Sequence, residues 1–263
     1  MLNDRALARS ALLSRKPGPA LSVSYPPDCR KIVSWNLLRR TGATVAGIAT
    51  LIAHEQPDLV LMQEATKDIE GLPAKAGGHY AWAQMPGRIH GLAIWSRKPF
   101  ARPPEVIELP GGTLFDRVCQ VLDLGDFGIA NVHLSHGQVL NRRQLRRIER
   151  SLPERAAVIG DYNLVGPPLL PGFRDVGPRR PTHAMGRLVP LRLDRCLVRG
   201  LACHAHSALP RGASDHRPIT VHLAPSGEMS RPEISRFRDM AARVGRWRRE
   251  GAREASAPTD PQG

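Results

Sequence analysis

The sequence predicts an α/β protein, and three observations carry that prediction. Short apolar runs of strand length recur from Lys31 to Leu223. Two segments with helical spacing stand among them. Several of the apolar runs also stop at a polar or ionisable residue, the pattern of buried strands that deliver chemistry at their tips. At 263 residues, 41% of them hydrophobic, the chain is long enough to build a full core without disulfide staples.

Residues 1–30 form a basic leader containing Pro17, Pro19, Pro26 and Pro27, expected to be an irregular arm. KIVSWN (31–36) is expected to be a strand. TVAGIATLIAHEQ (44–56) is expected to be a helix, with Val45, Ile48, Leu51 and Ile52 on one stripe. The run from Asp58 to Glu64 reads as a strand buried on both faces. GLAIWS (91–96), VCQVLDL (118–124) and FGIANVHL (127–134) are further strands, the last two joined by a turn at Gly125-Asp126. Gln138 to Leu152 is a helix studded with Arg142, Arg143, Arg146, Arg147 and Arg150, ended by Pro153. AAVIGD (156–161) is another buried strand, 164–190 a Pro- and Gly-rich surface loop, and LRLDRCLV (191–198) and PITVHL (218–223) the last strands. Beyond Pro225, Ile234, Phe237, Ala241 and Val244 have heptad-like spacing, with Met240 and Trp247 on the adjoining edge and eight Arg between Arg231 and Arg253. That is a basic amphipathic helix, with a disordered tail of about ten residues. The expected organisation is an arm (1–30), a domain (31–224) and this terminal element (225–263).

Thirty-eight Lys and Arg against 24 Asp and Glu leave a net charge of +14, which favours anionic partners: nucleic acid, a phospholipid surface or a small phosphoester. No apolar run approaches the roughly 18 residues of a membrane span. The four cysteines form no CxxC or Cys/His cluster, which excludes a zinc ribbon. Arg and Ser interrupt every apolar stretch near the N-terminus, so no secretory signal is read and a cytoplasmic location is expected. With three Tyr, four Trp and five Phe the chain is poor in base-stacking surface.

The polar tips are Asn36, Glu64, His133, Asp161 with Asn163, and Asp194, while Asp215 and His216 sit just before the final strand. Glu64 and Asp161 are hard oxygen ligands of the kind Mg²⁺ prefers. The two asparagines can hold a phosphate oxygen or a water without adding charge. The two histidines handle protons near neutral pH, and an Asp beside one of them would fix its tautomer. Bland readings compete at some positions. Asn36 and Asp161-Tyr-Asn163 taken alone are turn formers. His133 could be a core histidine, Asp194 could pair with Arg192 or Arg195, and the arginines of 138–152 could form a solvated face.

SWN (34–36), MQEA (62–65), NVHLSH (131–136), GDYN (160–163), RLD (192–194) and SDHRPI (214–219), in that order, resemble the signature of the endonuclease/exonuclease/phosphatase superfamily. The resemblance implies a DNase I-like, four-layer αββα sandwich of two packed mixed β-sheets, with Mg²⁺- or Mn²⁺-dependent phosphoester hydrolysis at one end. By motif it implies Glu64, Asn36 and Asp215 at the metal. It implies His216 as catalytic histidine held by Asp194, Asp161 and Asn163 at the attacking water and phosphate, and His133 as the second histidine of the DNase I-like and sphingomyelinase-like branches. Abasic-site endonucleases commonly have Tyr in place of His133 and Asp in place of Leu38, so abasic-DNA repair is disfavoured. The expected activity is a nuclease-type phosphodiesterase acting on nucleic acid as a monomer. The alternatives are a phosphoesterase for phospholipid or inositol phosphoesters, with 231–253 touching anionic membrane, and a catalytically silent anion-binding protein.

Overall fold

A computed structural model describes residues 24–39, 41–111, 116–185 and 189–227. Most of the arm and all of the helix read at 231–253 lie outside the described residues. The chain runs β1 (Arg30–Asn36), α1 (Val45–Glu55), β2 (Leu59–Thr66), a 3₁₀ turn, α2 (Leu72–Ala76), β3 (His79–Gln84), β4 (His90–Ser96), β5 (Glu105–Leu109), β6 (Arg117–Asp123) and β7 (Gly128–His133). It continues with α3 (Gln138–Glu149), β8 (Ala156–Asp161), β9 (Arg174–Asp175), β10 (His183–Met185), β11 (Val189–Leu191), β12 (Asp194–Arg199), β13 (Leu201–Ala208) and β14 (Ile219–Pro225).

Two six-stranded sheets result, ordered β13-β14-β1-β2-β4-β3 and β5-β6-β7-β8-β12-β9. Each is mixed: β1 with β2 and β7 with β8 are parallel, and their other neighbours antiparallel. Period-two alternation explains why the runs read as buried on both faces. Ile32, Leu59 and Leu61 turn inward to meet Ile129, Ala157 and Ile159 of the facing sheet. Val33, Val60 and Met62 turn outward beneath Ile48 and Ile52 of α1. Leu145 and Ile148 of α3 cover the other outer face. The α/β/β/α layering follows, the α+β sandwich of two packed mixed sheets.

Helix α1 is capped by the Thr44 side chain, which accepts from the Gly47 amide at 3.2 Å, and ends at Gln56 in the left-handed region. Helix α3 stops at Glu149, short of Pro153, and Arg143, Arg146, Arg147 and Arg150 are exposed. The segment read as one loop, 164–190, contains β9 and β10, and 191–198 is divided between β11 and β12. Strands β3, β5 and β13 carry no clean apolar run: β13 alternates half-buried and exposed residues along a sheet edge. All four cysteines are free. Among the described residues no helix is long and apolar enough to cross a membrane.

Candidate active site

Strand order alone brings the polar tips together. In the second sheet β7 and β8 run parallel and end side by side, with His133 in register with Asp161. Strand β12 runs the other way, so its first residue, Asp194, also registers with Asp161. In the first sheet β1 ends at Asn36 and β2 passes Glu64 at the same end, Asn36 being in register with Gln63. The two rows face each other across a cleft of about 490 Å³.

Local backbone serves this convergence. Gly160 has φ 147°, and a Cβ there would lie 2.0 Å from the Val132 carbonyl oxygen. Only glycine lets β8 approach β7 closely enough to set Asp161 beside His133. Among the described residues four non-glycine residues have positive φ: Glu64 and Asn163 line the cleft, Leu38 lies between the lining residues Asn36 and Arg39, and Gln56 caps α1. Glu64 is the extra residue of a β-bulge, since the β2–β4 register shifts between Gln63 and Ala65. The bulge re-aims its side chain into the cleft. Below it Gln63 donates to Asn131 Oδ1 at 2.8 Å and Ser34 Oγ at 3.1 Å, and Asn131 donates to the Ala93 carbonyl at 3.0 Å. This buried amide network ties the sheets together under the site.

Asp161 is the hub. Its Oδ2 accepts from Asn36 Nδ2 at 3.0 Å and lies 3.5 Å from His133 Nε2 and 3.8 Å from His216 Nε2. Its Oδ1 accepts from the Asn163 amide at 2.9 Å, while the Asn163 side chain donates to the Leu134 carbonyl at 3.0 Å. His216 Nδ1 bonds Asp194 Oδ2 at 2.8 Å. Two amides, those of Leu193 and Asp194, donate to the Thr182 hydroxyl at 3.1 and 3.0 Å and anchor the start of β12. The competing partnership for Asp194 is absent: Arg192 and Arg195 both pair with Asp175, at 2.7 and 3.1 Å. Ser214 Oγ donates to the Asn36 carbonyl at 2.6 Å and locks the turn before β14 onto β1.

Burial opposes charge on both acid and imidazole here, and neighbours decide the outcome. Desolvation raises Asp161 to about 6, with the Asp194 charge pushing the same way and His216 pulling against it. Desolvation works against a charged His216, but the Asp194 carboxylate, with Asp161 and Asp215, outweighs it and pushes the imidazole up to about 9. His133 goes the other way: burial first, then Arg117 and His216, hold it well below the ordinary range. Its 3.5 Å approach to Asp161 is therefore the contact of a neutral ring, and geometry alone does not make it an ion pair.

Among the described residues two groups of donor atoms lie within 4.8 Å of one another: Asp161, Asp194 and His216, and His183, Asp215 and His216. Glu64 lines the same cleft outside both groups, its Oε2 accepting from Arg39, from the amide at 3.3 Å and the guanidinium at 3.4 Å. The carboxylate and amide oxygens among these side chains suit a hard divalent cation that keeps several waters, whereas the imidazoles favour softer metals or proton chemistry. In this arrangement Asn36 turns its amide nitrogen to Asp161, while its oxygen accepts from the Leu38 amide at 3.1 Å.

Reading strand ends missed groups at strand starts. Arg117 heads β6 and His90 heads β4, and both line the cleft because antiparallel strands present their first residues there. His183, hidden in the Pro- and Gly-rich stretch, stacks at 4.4 Å on His216. The rule that found Glu64 and Asp161, applied to the residue before each apolar run, finds Arg117 and His90.

The sequence profile of the Endonuclease/Exonuclease/phosphatase family matches residues 33–216. The chain belongs to this family. No curated protein matches it. Among solved structures it is similar to an endonuclease/exonuclease/phosphatase from Beutenbergia cavernae (20% identity, TM-score 0.60, covering 76% of this chain and 72% of that one). It is also similar to D. rerio TDP2 complexed with single strand DNA product (19%, 0.60, 74% and 98%). A third is the Bacteroides thetaiotaomicron mannosyl-6-phosphatase (17%, 0.61, 74% and 99%). At these identities the family likeness to each is one of fold. Family membership makes the chain a phosphoesterase.

Proposed function

We propose that this phosphoesterase uses a divalent cation to hydrolyse phosphodiester bonds, with nucleic acid as the first substrate reading. The convergence of Asp161, Asn36, His133 and the His216–Asp194 pair in one buried cleft carries the proposal. Glu64 would hold the cation, with Asn36 and Asp215 nearby. Mg²⁺ or Mn²⁺ bound there supplies charge neutralisation at the phosphoryl oxygens. Asp161, ionised above about pH 6, orients the attacking water and takes its proton. Asn36 and the Asn163 amide hold that carboxylate in place. His216, kept charged by Asp194, donates from Nε2 to a phosphoryl oxygen and stabilises the charge that builds in the transition state. The neutral His133 and the second amide hydrogen of Asn163 complete the donors.

The net charge of +14 supports a polyanionic substrate. A lipid-linked phosphoester is the second reading, and one observation favours it. Ile89, Val139, Val165 and Val189 are 47–75% exposed. Val165 lines the cleft, Ile89 lies between the lining residues Arg88 and His90, and Val189 is two residues from the lining residue Leu191. Val139 follows Gln138, whose side chain donates to the Val165 carbonyl at 3.4 Å. An aliphatic rim around a polar floor suits an amphiphile at a bilayer surface.

The test is a panel of plasmid DNA, RNA, phospholipid vesicles, inositol phosphates and a chromogenic diester, with Mg²⁺, Mn²⁺ or chelator and Glu64→Ala as control. Turnover that needs the cation and Glu64 is expected. Cation-independent turnover, or near-normal turnover by Glu64→Ala, contradicts the proposal.

A further inference from the structure

At the end of the cleft away from His216 and Asp194, two polar side chains are buried without the partners their chemistry calls for. Arg117 is 8% exposed, with Nη1 on the Met85 sulfur at 3.7 Å and a buried Nε that has no hydrogen-bond partner. Among the described residues no carboxylate lies within ion-pair distance of it. His90, 6% exposed, has a buried Nδ1 with no partner. Arg195, buried in the same sheet, also leaves its Nε without a partner but shows the structural alternative in its terminal nitrogens, which reach Asp175 at 3.1 Å and the Gly166 carbonyl at 2.7 Å. A buried guanidinium with a sulfur for company is costly, and an incoming anion would relieve that cost.

Strand order locates the pair. In the second sheet β7 separates β6 from β8, so Arg117 starts about 10 Å from Asp161 at ordinary strand spacing. Across the cleft, β2 separates β4 from β1, which puts His90 on the same side as Arg117. Both groups face the cleft. Desolvation lowers the proton affinity of each, outweighing the more distant support of Glu64 for both groups and of Asp161 for Arg117.

We propose that Arg117 and His90 form a subsite for a second anionic group of the substrate, a phosphate lying one step along from the ester under attack. The guanidinium offers a planar fork for two phosphate oxygens and the imidazole adds a donor or acceptor. The inference rests on the phosphoesterase reading and narrows it: preferred substrates carry at least two anionic centres, and a lone diester fills the cleft only in part.

The first test is free of metal and turnover. Inorganic phosphate is titrated calorimetrically into the full chain, and melting is followed with and without it. Arg117→Met is expected to weaken phosphate binding about 10- to 100-fold, as loss of a charged hydrogen-bond partner does. It should also melt above the wild type in anion-free buffer, since an uncompensated buried charge has gone. A variant that binds phosphate like the wild type, or melts below it, overturns the proposal. Should Arg117→Met not fold, Arg117→Gln and His90→Gln carry the same titration. The second test compares a dinucleotide with its 5′-phosphorylated form in Mg²⁺. The wild type should prefer the phosphorylated form in kcat/KM, and Arg117→Met should reduce that ratio about 10- to 100-fold. An unchanged ratio, with both esters slowed alike, places Arg117 on the reacting phosphoryl group and overturns the subsite. If neither ester is cleaved, the hydrolytic reading fails for these substrates while the phosphate titration still decides the subsite.

Discussion

At one end of the cleft His216 holds Asp194 at 2.8 Å, and Asp161 accepts from Asn36 and Asn163 at 3.0 and 2.9 Å. At the other end Arg117 has a thioether at 3.7 Å, and His90 leaves its Nδ1 unmatched. The contrast separates two functions of buried polar groups. Groups that move protons must be oriented before substrate arrives, so carboxylate and amide neighbours hold their reacting faces in place. Groups that recognise an anion cannot be saturated in advance without losing what they bind.

The largest effects belong to the His216–Asp161 end. His216→Ala and Asp161→Ala should each lower turnover by roughly 10²- to 10⁴-fold, the range for removal of a positioned proton-transfer group, as measured in initial rates at fixed cation. Rates within about threefold of wild type would dissolve the contrast between the two ends. Asp194→Asn comes next. It removes the charge that pushes His216 up to about 9, so the alkaline limb of the pH–rate profile should fall toward the ordinary histidine value of 6.5.

Stability carries a smaller signature of the same pair. His216 titrates higher in the fold than in the unfolded chain, so its contribution is complete below pH 6.5 and is lost as pH rises through about 9. That contribution is roughly 3 kcal/mol in the apo protein, and urea titrations between pH 6 and 9.5 should lose it in wild type and not in His216→Asn. Asp161 acts in the same direction over a lower pH range. Raised to about 6, it costs stability as pH climbs from 3.8 to 6, which urea titration across that range would register. The smallest effect is expected at the rim. Val165→Asp should weaken attachment to anionic vesicles several-fold while leaving hydrolysis of a soluble diester within about twofold, read by co-sedimentation and by initial rates.

How much of this was legible in the sequence depended on strand direction. Asn36, His133 and Asp161 end apolar runs and were read directly, because the parallel pairs β1–β2 and β7–β8 end at the cleft. Arg117 and His90 precede their runs and escaped notice, although strand reversal in β6 and β4 brings them to the same edge. Strands β3, β5 and β13 were invisible for another reason: each is an edge strand or next to one, with a solvated face and no continuous apolar run. His183 and Thr182 lay in a stretch whose Pro and Gly content masked the short pairing of β10 with β11. Glu64 was found as a strand-end carboxylate, but the left-handed bulge that aims it is a tertiary feature with no local signal.

The most direct measurement is the pH dependence of chromogenic diester hydrolysis in saturating Mg²⁺, for wild type and Asp194→Asn. The account predicts a bell with an alkaline limb near 9 in the wild type, abolished by chelator, and a limb moved to clearly lower pH in the variant. An alkaline limb at the same pH in both proteins would contradict it.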